Sequence, residues 1–104
     1  MQQFIISYTF TEGSEEEWHA TIAKFIQNLE THPELKGRIS YRCLKAKGGL
    51  DYYHLATVAD EEVGKILGAQ DFFKSYTAET ERVGGGSVRV TPLELVAETA
   101  PLGV

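Results

Sequence analysis

Phe4, Ile6, Tyr8 and Phe10 alternate with Ile5, Ser7 and Thr9 near the start of the chain. A two-residue period of aromatic and β-branched side chains predicts a strand over 4–10 with the two sets on opposite faces. The second set is small and partly apolar, so both faces call for cover. The period then changes. Trp18, Ile22, Phe25, Ile26 and Leu29 form one stripe at helical spacing. Ser14 and Glu17 have the spacing of a capping box, and Glu15, Glu16 and Glu17 sit where a helix dipole favours negative charge. His32-Pro33 closes the helix, because the residue before proline is driven out of the α region. Strands follow over 38–46 and 51–59, flanking Gly48-Gly49, a pair that tolerates the positive φ of a tight hairpin. In the second of them Tyr52, His54, Ala56 and Val58 alternate with Tyr53, Leu55, Thr57 and Ala59.

Asp60 can cap the next helix, which carries Val63, Ile66 and Leu67. Gly68 weakens that helix and Asp71 offers a new cap for Phe72, Phe73, Tyr76 and Val83, so a two-piece helix is expected. Gly84-Gly85-Gly86-Ser87 leads into a last strand over 88–98. Pro92 cannot donate to a ladder and belongs at a sheet edge. Leu93, Leu95 and Val96 lie beyond it, and apolar residues in that place suggest a segment that crosses to a neighbouring subunit. The order is βαββαβ, two strand–helix–strand halves joined by Lys47-Gly48-Gly49-Leu50. It predicts an α+β, ferredoxin-like antiparallel sheet with helices on one face. The bare face needs a partner, and a homodimer is expected.

Composition narrows the functional classes. At 104 residues the chain is one domain, 1–104, because a second core could not be sustained. A net charge of −5 opposes both nucleic-acid binding, which rests on Lys and Arg neutralising phosphates, and docking on an anionic membrane. No run approaches the roughly 20 apolar residues of a membrane span. The start Met1-Gln2-Gln3-Phe4 lacks a basic signal-peptide region, and the single Cys43 cannot form an internal disulfide, so a cytoplasmic location is expected. His19, His32 and His54 show no ligand spacing, and no metal or cofactor is expected.

Residues 53–76, YHLATVADEEVGKILGAQDFFKSY, resemble the second half of antibiotic biosynthesis monooxygenase-type proteins. The shared features are a strand running into an acidic helix start, the Phe73-Lys74-Ser75-Tyr76 element, and the Val90-Thr91-Pro92-Leu93 closing strand. The resemblance implies a dimeric α+β barrel, with two sheets face to face and helices outside. It also implies an ancestry among cofactor-independent oxygenases of polyphenolic substrates and haem-degrading enzymes. The haem-degrading Asn, Trp and His positions are occupied here by Ile6 or Ser7, by Leu67, and by Ser75, Tyr76 or Thr77. Quinone-forming members often carry a Trp where this chain has Val58 and Ala59. The known catalytic sets therefore do not carry over.

The residues that remain point to an aromatic pocket. His54 lies mid-strand among aromatics, where a neutral imidazole could take or shuttle a proton; equally, it could be a structural histidine bonded to a tyrosine or a carbonyl. Tyr8, Tyr41, Tyr52, Tyr53 and Tyr76 are a rich set of phenols for stacking and hydrogen bonding, or simply good strand and interface residues. His54 and Tyr76 are the candidate catalytic residues, and Tyr8, Trp18, Tyr53 and Phe73 the candidate pocket lining. Trp18 also suits a core anchor, His19 and His32 the surface, and Cys43 a small packed hydrophobe. The functional expectation is a cofactor-free monooxygenase-like protein that acts on or binds a small aromatic molecule. Its alternative is a non-catalytic homodimer that binds a ligand or serves a stress pathway.

Overall fold

The computed structural model, which describes residues 1–103, opens with strand β1 (Gln2–Thr9) and helix α1 (Glu15–Thr31). The hairpin β2 (Ile39–Lys45) and β3 (Asp51–Val58) follows, then α2 (Glu61–Gly68), α3 (Asp71–Gly84) and β4 (Arg89–Leu93). The sheet order is β2-β3-β1-β4 with every neighbouring pair antiparallel, which is the expected ferredoxin-like arrangement. β4 lies at an edge, so Pro92, opposite Phe4, costs the sheet little.

Local chemistry explains most boundaries. Ser14 accepts a hydrogen bond from the Glu17 amide at 3.3 Å, and His32 leaves the helical region with ψ of 124°. Asp60 caps α2 through a 2.9 Å bond from the Val63 amide. The expected break falls at Gly68, but the residue that precedes α3 is Gln70, and no side chain caps it. Asp71 instead begins α3 as an acidic residue of its first turn, where the helix dipole favours it. The last strand is shorter than the 88–98 expected. It ends at Leu93 because β1, its only neighbour, runs out at Gln2, and Gln3–Leu93 is the last pair.

The core lies between the helices and one face of the sheet. Trp18, Ile22, Phe25 and Leu29 of α1 meet Tyr8, Tyr52, Val58, Val63, Tyr76 and Val83 in one buried cluster. Each large side chain removed from water in this way contributes on the order of 1.5–3 kcal/mol. The second face carries Ile5 and Leu55, half-buried, and Leu44, Tyr53 and Leu93, exposed. The alternation suggests cover on both faces, yet within one chain no helix lies over this one. Among the described residues no helix is long and apolar enough to cross a membrane.

The end of α3 presses on β1 at Gly84. A Cβ there would lie 2.7 Å from Val88 Cγ2 and 3.2 Å from Tyr8 Cβ. Val88 is stiff at χ1 and Tyr8 is tied by hydrogen bonds, so neither yields easily. Gly84→Ala is expected to lower stability by about 1–2 kcal/mol in urea unfolding, because overpacking exceeds the roughly 1 kcal/mol of helix propensity that alanine adds.

Candidate functional site

β1, β2 and α3 bring three aromatic side chains around one imidazole, which β3 supplies. His54 faces the helices from the middle of β3, opposite Ile6 on one side and Cys43 on the other. Tyr8 and Tyr41 sit one pleat away on the flanking strands, at diagonal positions that long aromatic side chains can span. Tyr76 comes down from α3. The result is a hydrogen-bonded cluster inside an otherwise apolar core.

His54 is fully buried. Its Nε2 lies 2.8 Å from the Tyr8 hydroxyl, and its Nδ1 lies 2.6 Å from the Tyr41 hydroxyl and 3.3 Å from that of Tyr76. The two latter phenols are 3.1 Å apart. Trp18 donates its indole N–H to the Tyr8 oxygen at 2.7 Å. Stacking locks the rings in place: Tyr76 lies between Phe25, with centroids 3.8 Å apart, and Trp18, at 5.7 Å. Tyr8 stacks on Tyr52 at 5.2 Å. No buried side-chain polar atom among the described residues lacks a partner, as the cost of an unpaired one would require.

Burial sets the charge states. It holds the His54 pKa down at about 4, so the imidazole is neutral at pH 7. Burial likewise raises the Tyr8, Tyr41 and Tyr76 phenols well above their ordinary range, and the neighbouring Tyr41 adds to the effect at Tyr76. It pushes the Cys43 thiol up to about 12, in keeping with a packed hydrophobe and not a reactive thiolate. The site is thus a cluster of neutral groups.

A cavity of about 330 Å³ opens beside this cluster, between the helices and the sheet. Phe4, Ile6, Leu29, Leu67 and Phe73 are among its apolar walls, and Tyr41 and Tyr76 also line it. Thr77 and Thr80, which border it too, spend their hydroxyl protons on carbonyls of their own helix. Its volume lies within the range of small-molecule sites.

The sequence-derived candidates divide three ways. Tyr76 and Phe73 line the cavity. His54, Tyr8 and Trp18 stand behind it and hold Tyr41 and Tyr76 in position. Tyr53 does neither: it is 40% exposed on the opposite face of the sheet, because its register places it one residue out of phase with His54. Tyr41 is the residue that the sequence reading counted among the five phenols but did not place among the site candidates. Its signal was present, since 41 and 43 share a face and the hairpin pairs 43 with His54. His19, although exposed, bonds through Nε2 to the Tyr52 hydroxyl at 2.7 Å. That hydroxyl donates to Glu15 at 2.6 Å, and Lys45 lies 2.9 Å from the same carboxylate. The Tyr52 bond, with Lys45 second, holds the Glu15 carboxyl below its usual range.

A buried neutral histidine ties stability to pH. The unfolded imidazole, with an ordinary pKa near 6.5, binds a proton that the folded one refuses until about pH 4. The contribution is present above pH 6.5 and is lost as pH falls toward 4. Urea unfolding is expected to show stability falling by about 2 kcal/mol from pH 7 to pH 5, a component that His54→Gln lacks.

No family model and no curated protein matches the sequence. Solved structures do match the fold. SnoaB, a cofactor-independent oxygenase from Streptomyces nogalater, is similar with a TM-score of 0.73 over 97% of each chain, at 16% identity. A structure named antibiotic biosynthesis monooxygenase reaches 0.75 over 93% of this chain and 100% of that one, at 10% identity. A conserved protein from Methanosarcina mazei reaches 0.73 over 88% of this chain and 89% of its own, at 12% identity. At such identities the likeness is one of fold and carries no site residue with it. The chain has the ferredoxin-like α+β fold found in proteins named as antibiotic biosynthesis monooxygenases.

Proposed function

We propose that the chain binds a small planar aromatic molecule in the helix–sheet cavity and oxygenates it without a cofactor. The observation that carries this reading is the cavity itself: about 330 Å³, walled by apolar side chains, with two phenols at its border. A flat, mostly apolar ligand satisfies such walls, and an oxygen substituent satisfies the phenols. The fold shared with SnoaB supports oxygen chemistry in particular. In that reaction the substrate supplies the electrons. A ring methylene of an anthrone-like molecule becomes a carbonyl, one atom of dioxygen enters that carbon, and the other leaves as water with the two hydrogens. His54 does not line the cavity and, with its pKa held down at about 4, is a poor base at neutral pH. Its role is to position Tyr41 and Tyr76.

That weakness as a base favours a second reading, in which the cavity binds the aromatic molecule and no reaction follows. Gly64 separates both readings from an empty core. It borders the cavity from α2, and a Cβ there would meet only Gln2 Oε1 at 3.7 Å and Val58 Cγ1 at 4.0 Å. Gly64→Leu therefore narrows the cavity from the α2 side, where a Cβ meets no member of the His54 cluster. Wild type is expected to take up oxygen with an anthrone or hydroquinone panel, and Gly64→Leu to lose both binding and uptake while its melting temperature holds or rises. Binding without uptake would leave the non-catalytic reading. Neither binding nor uptake in the wild type would end both.

A second copy of the chain is the proposed cover for the open sheet face. Leu44, Tyr53 and Leu93 are exposed there around the half-buried Ile5 and Leu55, and Leu95 and Val96 continue the apolar surface past β4. Sedimentation at micromolar concentration is expected to give a dimer, and Tyr53→Glu, which places a charge at its centre, a monomer. A wild-type monomer would refute the pairing.

A further inference from the structure

The hydrogen bonds around His54 have a direction, and the residue that sets it does not itself line the cavity. An indole N–H donates and cannot accept. Trp18 therefore makes the Tyr8 oxygen an acceptor at 2.7 Å, and the Tyr8 proton must go elsewhere. Among the described residues its only other polar contact is His54 Nε2 at 2.8 Å. Were that nitrogen protonated, the Tyr8 proton would be buried with no acceptor, a loss of about 1–3 kcal/mol. Nε2 thus accepts. A neutral imidazole then carries its proton on Nδ1, which donates to the Tyr41 oxygen at 2.6 Å, with Tyr76 a longer contact at 3.3 Å.

The count closes on the cavity. With Nδ1 a donor, neither Tyr41 nor Tyr76 can give it a proton, and their mutual 3.1 Å contact consumes one phenolic proton of two. The other has no nitrogen or oxygen acceptor in the cluster. The sulfur of Cys43, beside Tyr76, is a weak acceptor and the sole protein group that competes for it. Both phenols border the cavity.

We propose that Tyr8, whose proton has His54 Nε2 as its acceptor, fixes the polarity of this chain of hydrogen bonds, so that the Tyr41–Tyr76 pair meets the cavity as a donor and selects ligands bearing a carbonyl or enolate oxygen. The polarity stands on the cluster alone; the selection rests on the cavity being the ligand site. Tyr8 is a positioning residue here: it does not line the cavity and acts on Tyr41 through His54.

Nitrogen NMR of histidine-labelled protein reads the polarity with no ligand present. Wild-type His54 is expected as a single tautomer protonated at Nδ1 at pH 7, and Tyr8→Phe as a mixture, because Nε2 then no longer has a phenol proton to accept. Trp18→Phe serves as the control: it removes the indole, leaves the Tyr8 proton with the same acceptor, and is expected to keep the proton on Nδ1. A wild-type imidazole protonated at Nε2, or doubly protonated, would overturn the polarity. So would a tautomer unchanged in Tyr8→Phe.

Selection is read with 9-fluorenone and fluorene, equal in shape and differing in the carbonyl. Wild type is expected to prefer the ketone on the order of tenfold, the value of one hydrogen bond, and Tyr8→Phe to narrow that margin. Equal binding of the two by wild type would overturn the selection. If neither binds, the cavity reading itself fails, and the selection with it, while the tautomer still decides the polarity.

Discussion

The requirement that a buried imidazole have both nitrogens paired governs how this molecule is put together. His54 sits in the middle of a central strand, out of reach of water, and an unpaired nitrogen there would cost on the order of 1–3 kcal/mol. Three separate elements meet that need. β1 supplies Tyr8, β2 supplies Tyr41 and α3 supplies Tyr76, while α1 closes the set through Trp18. A one-residue slip in either strand pairing would turn a phenol to the other face of the sheet. The polar cluster therefore does more than survive burial. It specifies register on both sides of β3 and ties α1 and α3 to the same point, a role in uniqueness that apolar packing fulfils less sharply.

The same cluster divides the interior into two unlike parts. On one side lie neutral, mutually satisfied hydroxyl and imidazole groups, their charged forms suppressed by burial. On the other lies a cavity with apolar walls. Tyr41 and Tyr76 belong to both. Their rings are fixed from behind, Tyr76 by stacking between Phe25 and Trp18 and Tyr41 by its short bond to Nδ1. A ligand oxygen that reaches them meets groups already oriented, and in a dry site such a contact is stronger than in water. This division is specific to these side chains. The fold it is built on is shared at 10–16% identity with oxygenases and with a conserved protein whose name assigns no activity, so the roles of the site residues must be argued from the cluster and not from the sheet.

How much of this was legible in the chain differs by scale. The βαββαβ order was readable because the periods change cleanly, from two over 4–10 to helical spacing at Trp18 through Leu29, and because Ser14, Asp60 and the His32-Pro33 pair mark their boundaries with local chemistry. Gln70 as the residue preceding α3 was not readable, since it makes no side-chain bond that would single it out. The end of β4 was not readable either. Leu95 and Val96 continue the apolar pattern, and only the length of β1 stops the pairing. At the site, His54 and Tyr76 stood out as chemistry-bearing residues among aromatics. Tyr53 and Tyr41 could be told apart only by register: adjacent to His54 in sequence means opposite in a strand, whereas Tyr41, thirteen residues away, shares its face through the hairpin. Which hydrogen bonds form is a three-dimensional fact that no spacing rule contains.

The break between α2 and α3 bears on the cavity in a way that a continuous helix could not. α2 is short, ends at Gly68, and leans on β3 through Val63, while α3 restarts at Asp71 and carries Phe73, Tyr76 and Thr80 toward the sheet. One straight helix would hold Gly64 and Tyr76 in a single fixed relation along its axis. Two segments allow Gly64 and Leu67 to border the cavity from one direction and Phe73 and Tyr76 from another. The small residue at 64 then matters for what it leaves open, since any larger side chain would project into the space that the two segments enclose. The helix-weakening glycine at 68 and the missing side chain at 64 act together: one lets the two walls stand apart, and the other keeps the gap between them unfilled.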